Sequence, residues 1–218
     1  SDRIAISGAT GQQGGATLRA LAGKGFTLRA LTRDPNSDKA KAVARDTGAE
    51  LVKGEMDDEG SVREALKGAW GAYAVQNTWI AGVEGEEAQG HRFAKVAREV
   101  GVQHYVYASV ASADRQTGIP HFDNKFRVEN TVRTLNFPSY AIIRPVFFME
   151  NLLSPWFLNG DKLVSTLAPE TTLQMIAVED VGVFGALAFT RAAELSGMPV
   201  STIAATSTKA NSAATPIG

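Results

Sequence analysis

Gly8-Ala9-Thr10-Gly11-Gln12-Gln13-Gly14-Gly15 stands between an apolar run, Ile4 to Ser7, and a helical pattern that carries Leu18 and Leu21. A tight strand-to-helix turn without Cβ atoms lets backbone N–H groups point at an anion, and the partial positive charge of a helix N-terminus favours the same ligand. Gly8 permits the turn, Gly11 lets the backbone approach a dinucleotide pyrophosphate, and Gly14 with Gly15 brings the helix close to the sheet. Thr10, Gln12 and Gln13 belong to the same loop and are counted with it as candidate contacts. A glycine-rich turn with no ligand has the same local sequence, so the flanking pattern decides. The loop ends in Gly-Gly-Ala and lacks Gly-Lys-Ser/Thr, which argues against ATP.

Outward from the loop, short runs rich in β-branched residues alternate with helical patterns. The strands are read at Ile4 to Ser7, Thr27 to Leu31, Glu50 to Val52, Ala72 to Val75, His104 to Ala108 and Tyr140 to Ile143. Six strands separated by helices predict right-handed βαβ units, hence an α/β fold with a Rossmann-type doubly wound parallel sheet. Phe93, Val96, Ala97 and Val100 recur at helical spacing and predict a helix over 86–100. After Arg144-Pro145 the pattern loosens into Val146 to Leu153, too apolar to lie free in water and expected to line a pocket or an interface. A strand near Leu173 to Ile176 and a helix from Val178 to Phe189 follow. The expected organisation is a nucleotide-binding domain over 1–145 and a small C-terminal lobe over 146–218, with the Ser, Thr and Ala rich tail 201–218 irregular.

The 218 residues suffice for such a domain plus a smaller lobe. Apolar residues at 44%, charged residues at 21% and a net charge of −1 place the chain among soluble globular proteins and offer no general field for nucleic acid. Cysteine is absent, which removes disulfides, thiolate metal sites and cysteine nucleophiles. His91, His104 and His121 show no ligand spacing, so no metal site is expected. The first residues read as a strand without the regions of a signal peptide, and no apolar run reaches the ~18 residues of a membrane span. A cytoplasmic protein is the expectation.

At the end of the second strand an NAD-preferring protein carries Asp or Glu, which accepts from the ribose 2′-hydroxyl. Thr32-Arg33 occupies that place, and a guanidinium forms charge-assisted hydrogen bonds with a 2′-phosphate, so Arg33 favours NADP(H) over NAD(H). The alternative is a surface arginine paired with Asp34. Gln76 and Asn77 close the fourth strand at the carboxyl edge, where ligands of doubly wound sheets lie; a strand-end cap is the other reading.

These residues, with Thr32-Arg33-Asp34-Pro35, Val75-Gln76-Asn77-Thr78-Trp79, His121-Phe122-Asp123-Asn124-Lys125, Arg144-Pro145 and Met149-Glu150-Asn151-Leu152-Leu153, resemble the NmrA-like (HSCARG-type) branch of the atypical short-chain dehydrogenases. The resemblance covers about residues 3–190. It implies NADP(H) binding, a sheet-based nucleotide domain and a small lobe closing over the nicotinamide end, with Phe147, Glu150 and Asn151 added to the cofactor contacts. It also implies one of two activities: a redox sensor that binds the cofactor and regulates a protein partner, or an NADPH-dependent reductase of a quinone or similar flat aromatic acceptor.

The usual dehydrogenase of this superfamily uses Ser, Tyr and Lys. The corresponding positions resemble Ser109 or Ser112, His121 in place of Tyr, and Lys125. His121 and Lys125, four residues apart, share a helix face with Val128, Val132 and Leu135. Lys125 on an apolar face needs a partner, and ribose or phosphate oxygens would supply one; otherwise its head snorkels to solvent. Histidine is a general acid–base side chain, so His121 is the candidate proton donor, although a hydrogen-bonded structural histidine is the plainer reading. Trp79, Phe147, Phe148 and Trp156 either wall an aromatic acceptor or simply pack.

Overall fold

Strand β1 (Arg3–Ile6) feeds helix α1 (Gln12–Leu21), and the alternation continues through β2 (Thr27–Thr32), α2 (Asp38–Thr47), β3 (Glu50–Lys53), α3 (Glu59–Leu66), β4 (Gly71–Ala74), α4 (Thr78–Glu99), β5 (His104–Ala108), α5 (Pro120–Thr134) and β6 (Ser139–Pro145). The computed structural model describes residues 1–168, 170–202 and 205–207. All six expected strands form, each within two residues of its expected bounds. After them come β7 (Phe147–Phe148), β8 (Leu158–Asn159), β9 (Lys162–Leu163), β10 (Leu173–Ile176), α6 (Val178–Thr190), α7 (Ala192–Leu195), β11 (Pro199–Thr202) and β12 (Ala205–Ser207).

The main sheet runs β11-β6-β5-β4-β1-β2-β3, every pair parallel. The strand order reverses beside β1, so the carboxyl ends of β1 and β4 flank the crevice where doubly wound sheets hold ligands. A hydrophobic layer lies on each face. On one, Leu66, Phe93, Tyr105, Tyr107 and Val132 pack under α3, α4 and α5. On the other, Ile4, Ile6, Leu18, Leu21, Val106 and Phe189 pack under α1 and α6. Burial on both faces explains why these strands read as continuous apolar runs.

Three differences from the sequence reading have physical causes. Helix α4 starts at Thr78, eight residues before the expected 86, because the Asn77 side chain caps it by accepting from Trp79 N at 2.9 Å. Gly82 then breaks its regularity with φ 73° and ψ 171°, which hides the first turns from a periodicity test. The segment after residue 145 divides between two places. β7, β10 and β12 form a small separate sheet, but α6 lies on α1 and β11 extends the main sheet. A Cβ on Gly182 would come within 2.5 Å of the Ala16 backbone, and one on Gly185 within 2.6 Å of Thr17 Oγ1, so two glycines allow that helix contact. Lastly, β11 runs into the tail 201–218, and β12 lies within it, where irregular structure was expected: β6 offers β11 an unpaired sheet edge and β10 offers one to β12. The remainder of that tail lies outside the described residues.

Among the described residues no helix is long and apolar enough to cross a membrane. His104 is fully buried, its Nδ1 2.8 Å from Ser139 Oγ and its ring between Trp70 and Phe189. Burial lowers its pKa to about 4. Between that value and the ~6.5 of an unfolded histidine the unfolded chain binds the extra proton, so stability is complete above pH ~6.5 and falls as the pH drops. Urea unfolding at pH 7.5, 6, 5 and 4 is expected to show a loss that reaches about 3 kcal/mol from this group at the lowest pH, with a shallower decline in His104→Asn.

Candidate functional site

Ser7, directly after β1, donates its hydroxyl proton to Val75 O at 3.0 Å and accepts from Val75 N at 2.8 Å, clamping the ends of β1 and β4 together. Gly8 then turns the chain at φ 61°, where a Cβ would stand 2.7 Å from Val75 Cγ1. Gly11 N donates back to Gly8 O at 2.9 Å and closes the turn. A Cβ on Gly14 would fall 2.4 Å from Gly8 O and 2.6 Å from Ser7 O, so only glycine lets the first turn of α1 approach this closely.

The end of α1 that faces the crevice is electrostatically bare. Gly11 caps it without a side-chain acceptor, no acidic residue lies in its first turn, and the amides of Gln12, Gln13 and Gly14 have no acceptor among the described residues. The other described helices of eight or more residues differ. Ser37, Asp58 and Asn77 cap α2, α3 and α4, Asp123 lies in the first turn of α5, and α6 has Glu179, Asp180 and the Glu150 carboxylate. Bare amides with an intact helix dipole favour an anion. Beside the loop, Gln76 is 7% exposed and both its side-chain amide atoms are buried without partners, as is Gln13 Oε1. Unpartnered buried polar atoms are costly and point to a ligand or ordered water that completes them. This cradle and its orphaned amides fit a dinucleotide pyrophosphate.

Arg33 lies exposed just past β2, on the same sheet edge as the loop. The surface pair with Asp34 does not form. Asp34 accepts instead from Asn36 N at 2.9 Å, and Arg33 makes no ion pair among the described residues. Thr10 and Gln12 sit in the loop and at the start of α1, Gln12 exposed. Asn77 is exposed, and its side-chain oxygen caps α4 by accepting from Trp79 N.

On α5, His121 is half-buried with its ring 6.1 Å from that of the exposed Trp79 and edge-on to Phe122. Lys125 is half-buried at the carboxyl end of β5, where it meets a protein partner. Its ammonium lies 2.9 Å from Glu86 Oε1 and 3.4 Å from Ala108 O. The sequence reading offered Lys125 a ligand oxygen or solvent, and the structure adds a protein counter-charge, Glu86 on α4, which that reading missed. Its signal was there: a glutamate one turn before the apolar stripe that begins at Gly90 and Phe93.

The lobe residues are placed less directly. Glu150 Oε1 accepts from Val178 N at 2.9 Å and so holds the start of α6, a tethering role that was not expected of it, while its other oxygen is buried without a partner. Phe147 packs edge-on against Phe157 at 5.3 Å, and Asn151 lies half-buried in the turn that follows β7. Trp156 and Leu153 are exposed.

Ser109 is likewise committed. Its hydroxyl donates to Glu129 Oε1 at 2.5 Å, and Glu129, fully buried, also takes two bonds from Arg144 at 2.9 and 2.7 Å and one from Arg133 at 2.8 Å. Asp114 meets the outer side of Arg144 at 3.0 Å, and that arginine holds its carboxyl below the usual carboxylate range.

A parallel sheet with this strand order and an uncapped glycine loop after β1 defines the class: a Rossmann-type fold. The profile of the NmrA-like family matches residues 1–213, and the chain belongs to that family. Among curated relatives, the NmrA-like family domain-containing oxidoreductase malD of Malbranchea aurantiaca is 32% identical over 203 residues, covering 81% of this chain and 60% of the relative. The corresponding oxidoreductase FrzB of Cladobotryum sp is 32% identical over 162 residues, 69% of this chain and 48% of the relative. The chain thus spans roughly half to three fifths of such proteins. Among solved structures, the negative transcriptional regulator Nmra in complex with NAD superposes with a TM-score of 0.82 at 21% identity, over 95% of this chain and 68% of that one. The Citrobacter sp. triphenylmethane reductase complexed with NADP(H) gives 0.77 at 21%, over 95% and 72%. At such identities the structural likeness establishes the fold.

Glu129→Ala leaves two guanidinium groups without their buried counter-charge and is expected to cost about 3–5 kcal/mol in urea unfolding. Replacing Glu129 and Arg144 together by Leu and Met is expected to cost less than the single change.

Proposed function

We propose that this chain binds a nicotinamide adenine dinucleotide across the carboxyl edge of its sheet, NADP(H) in preference to NAD(H). The observation that carries this is the bare N-terminus of α1 held against Gly8 by Gly14. The pyrophosphate sits on the amides of Gln12, Gln13 and Gly14, with Thr10 and Gly11 beside it, and Gln76 completes its amide pairing on the ligand. Arg33, exposed and without an ion pair among the described residues, meets the 2′-phosphate. Phe147 and Asn151 reach the ligand from the lobe. Complexes of related folds with NAD, NADP and NADP(H) support the cofactor class.

In this reading the protein is a redox-state sensor whose occupancy regulates a partner. The support is local. No tyrosine stands at position 121, the serine at 109 is bound to Glu129, and the charge of Lys125 is balanced by Glu86, which leaves no net positive field to stabilise a developing oxyanion. The rival reading is a reductase of a quinone or other flat aromatic acceptor. The exposed Trp79 and Trp156 favour it, as do the oxidoreductase names of the curated relatives. When bound, the reduced dinucleotide supplies a hydride; the chain's own contribution would be to orient the nicotinamide with Lys125 and to offer His121 as a proton donor.

Calorimetry with NADPH and NADH tests the binding. Arg33→Ala is expected to weaken NADPH by about 1.5–3 kcal/mol while barely changing NADH; equal losses would remove Arg33 as the selector. Monitoring NADPH absorbance with a panel of quinones and azo dyes decides between the two activities. The sensor reading expects tight binding with no oxidation, and turnover that disappears in Lys125→Ala would establish the reductase.

A further inference from the structure

Glu86 lies in the interior of α4 and is 2% exposed, yet it is charged. Its carboxylate receives Lys125 Nζ at 2.9 Å, Asn124 Nδ2 at 3.0 Å and the Thr78 hydroxyl. Burial pushes its carboxyl up, but Lys125, Thr78 and Asn124 more than offset that and hold it below the usual range. Buried ion pairs can often be replaced by apolar residues without loss of stability, so stability is a poor reason for this one. Its location is a better one.

The three donors come from pieces of chain that must be set relative to one another at the ligand edge. Lys125 is held at the last residue of β5, where its ammonium also meets Ala108 O at 3.4 Å, and its third N–H has no acceptor among the described residues. Thr78 belongs to the turn that precedes the Gly82 kink, directly after Gln76 and Asn77. Nothing lies within 4 Å of where a Cβ on Gly82 would stand, so the kink is held not by packing at Gly82 but by its flanks. Asn124 Nδ2 also donates to Val83 O at 2.9 Å, just beyond the kink. One carboxylate therefore joins the start of α4, the body of α4 and α5.

We infer that Glu86 is a positioning residue for the nicotinamide half of the ligand: it fixes the Lys125 ammonium, and with it the turn at 77–82, at the carboxyl end of β4 and β5. The inference rests on the dinucleotide reading above. Its consequence is confined to one side of the sheet. A dinucleotide bound across the switch point would place its adenine half over β1 to β3, away from this network, and its nicotinamide ribose over β4 to β6.

The test compares NADPH with 2′,5′-ADP, which contains only the adenine half. Glu86→Gln keeps the shape and one acceptor but removes the charge, and is expected to weaken NADPH by about ten- to a hundredfold with 2′,5′-ADP unchanged within about twofold. Because Glu86 acts through Lys125, Lys125→Met and the double variant Glu86→Gln/Lys125→Met are expected to bind NADPH equally weakly. Equal weakening of both ligands, no weakening, or additive loss in the double variant overturns the inference. If Glu86→Gln does not fold, Thr78→Val decides: a smaller loss confined to NADPH supports the assignment and its absence overturns it. Wild-type protein that binds neither NADPH nor 2′,5′-ADP would refute the underlying dinucleotide reading, a result distinct from all of these.

Discussion

The first turn of α1 lies against the carbonyl oxygens of Ser7 and Gly8 at a separation that no side chain tolerates, and Gly14 is the residue that makes it possible. With α1 seated there, its free amides face the crevice between the ends of β1 and β4, which Ser7 and Val75 clamp together. The same helix offers Ala16 and Thr17 to Gly182 and Gly185 of α6, so the second helix of that layer is placed by the first. Sheet, glycine turn and covering helix thus depend on one close approach of backbone to backbone. A methyl group at residue 14 would push α1 outward, and with it both the helix dipole and the seat of α6.

The opposite face of the sheet is organised by charge. Two glutamates, Glu86 on α4 and Glu129 on α5, are almost wholly removed from water, and each is surrounded by donors: Lys125, Thr78 and Asn124 for the first, Ser109, Arg133 and Arg144 for the second. In a low dielectric such sets have few alternative arrangements, because any donor that leaves strands a buried charge. Between them they absorb the serine and the lysine that a tyrosine-dependent dehydrogenase would use. Catalysis of that type would use both groups at the substrate, and here the serine hydroxyl donates to Glu129 while the lysine ammonium pairs with Glu86.

Much of this was legible in the sequence. Strand and helix alternation, the glycine loop, the buried stripe of Val128 and Val132, and Arg33 past β2 follow from periodicity, steric demand and charge, which are properties of neighbouring residues. The start of α4 was not legible, because the Asn77 cap and the Gly82 kink interrupt the apolar period that marks the rest of the helix. Nor was β11, whose four residues gain their strand conformation only from the free edge of β6.

A parallel α/β sheet with a glycine-rich turn after its first strand is written into windows of a few residues, so it can be read along the chain. Which polar groups meet is settled by folding alone. Glu86 and Lys125 are 39 positions apart in the chain and Glu129 and Arg144 are on different elements, yet each pair shares a buried site. Such pairing depends on helix register across the sheet, and a linear pattern carries no record of which distant donor will be on hand when a carboxylate loses its water.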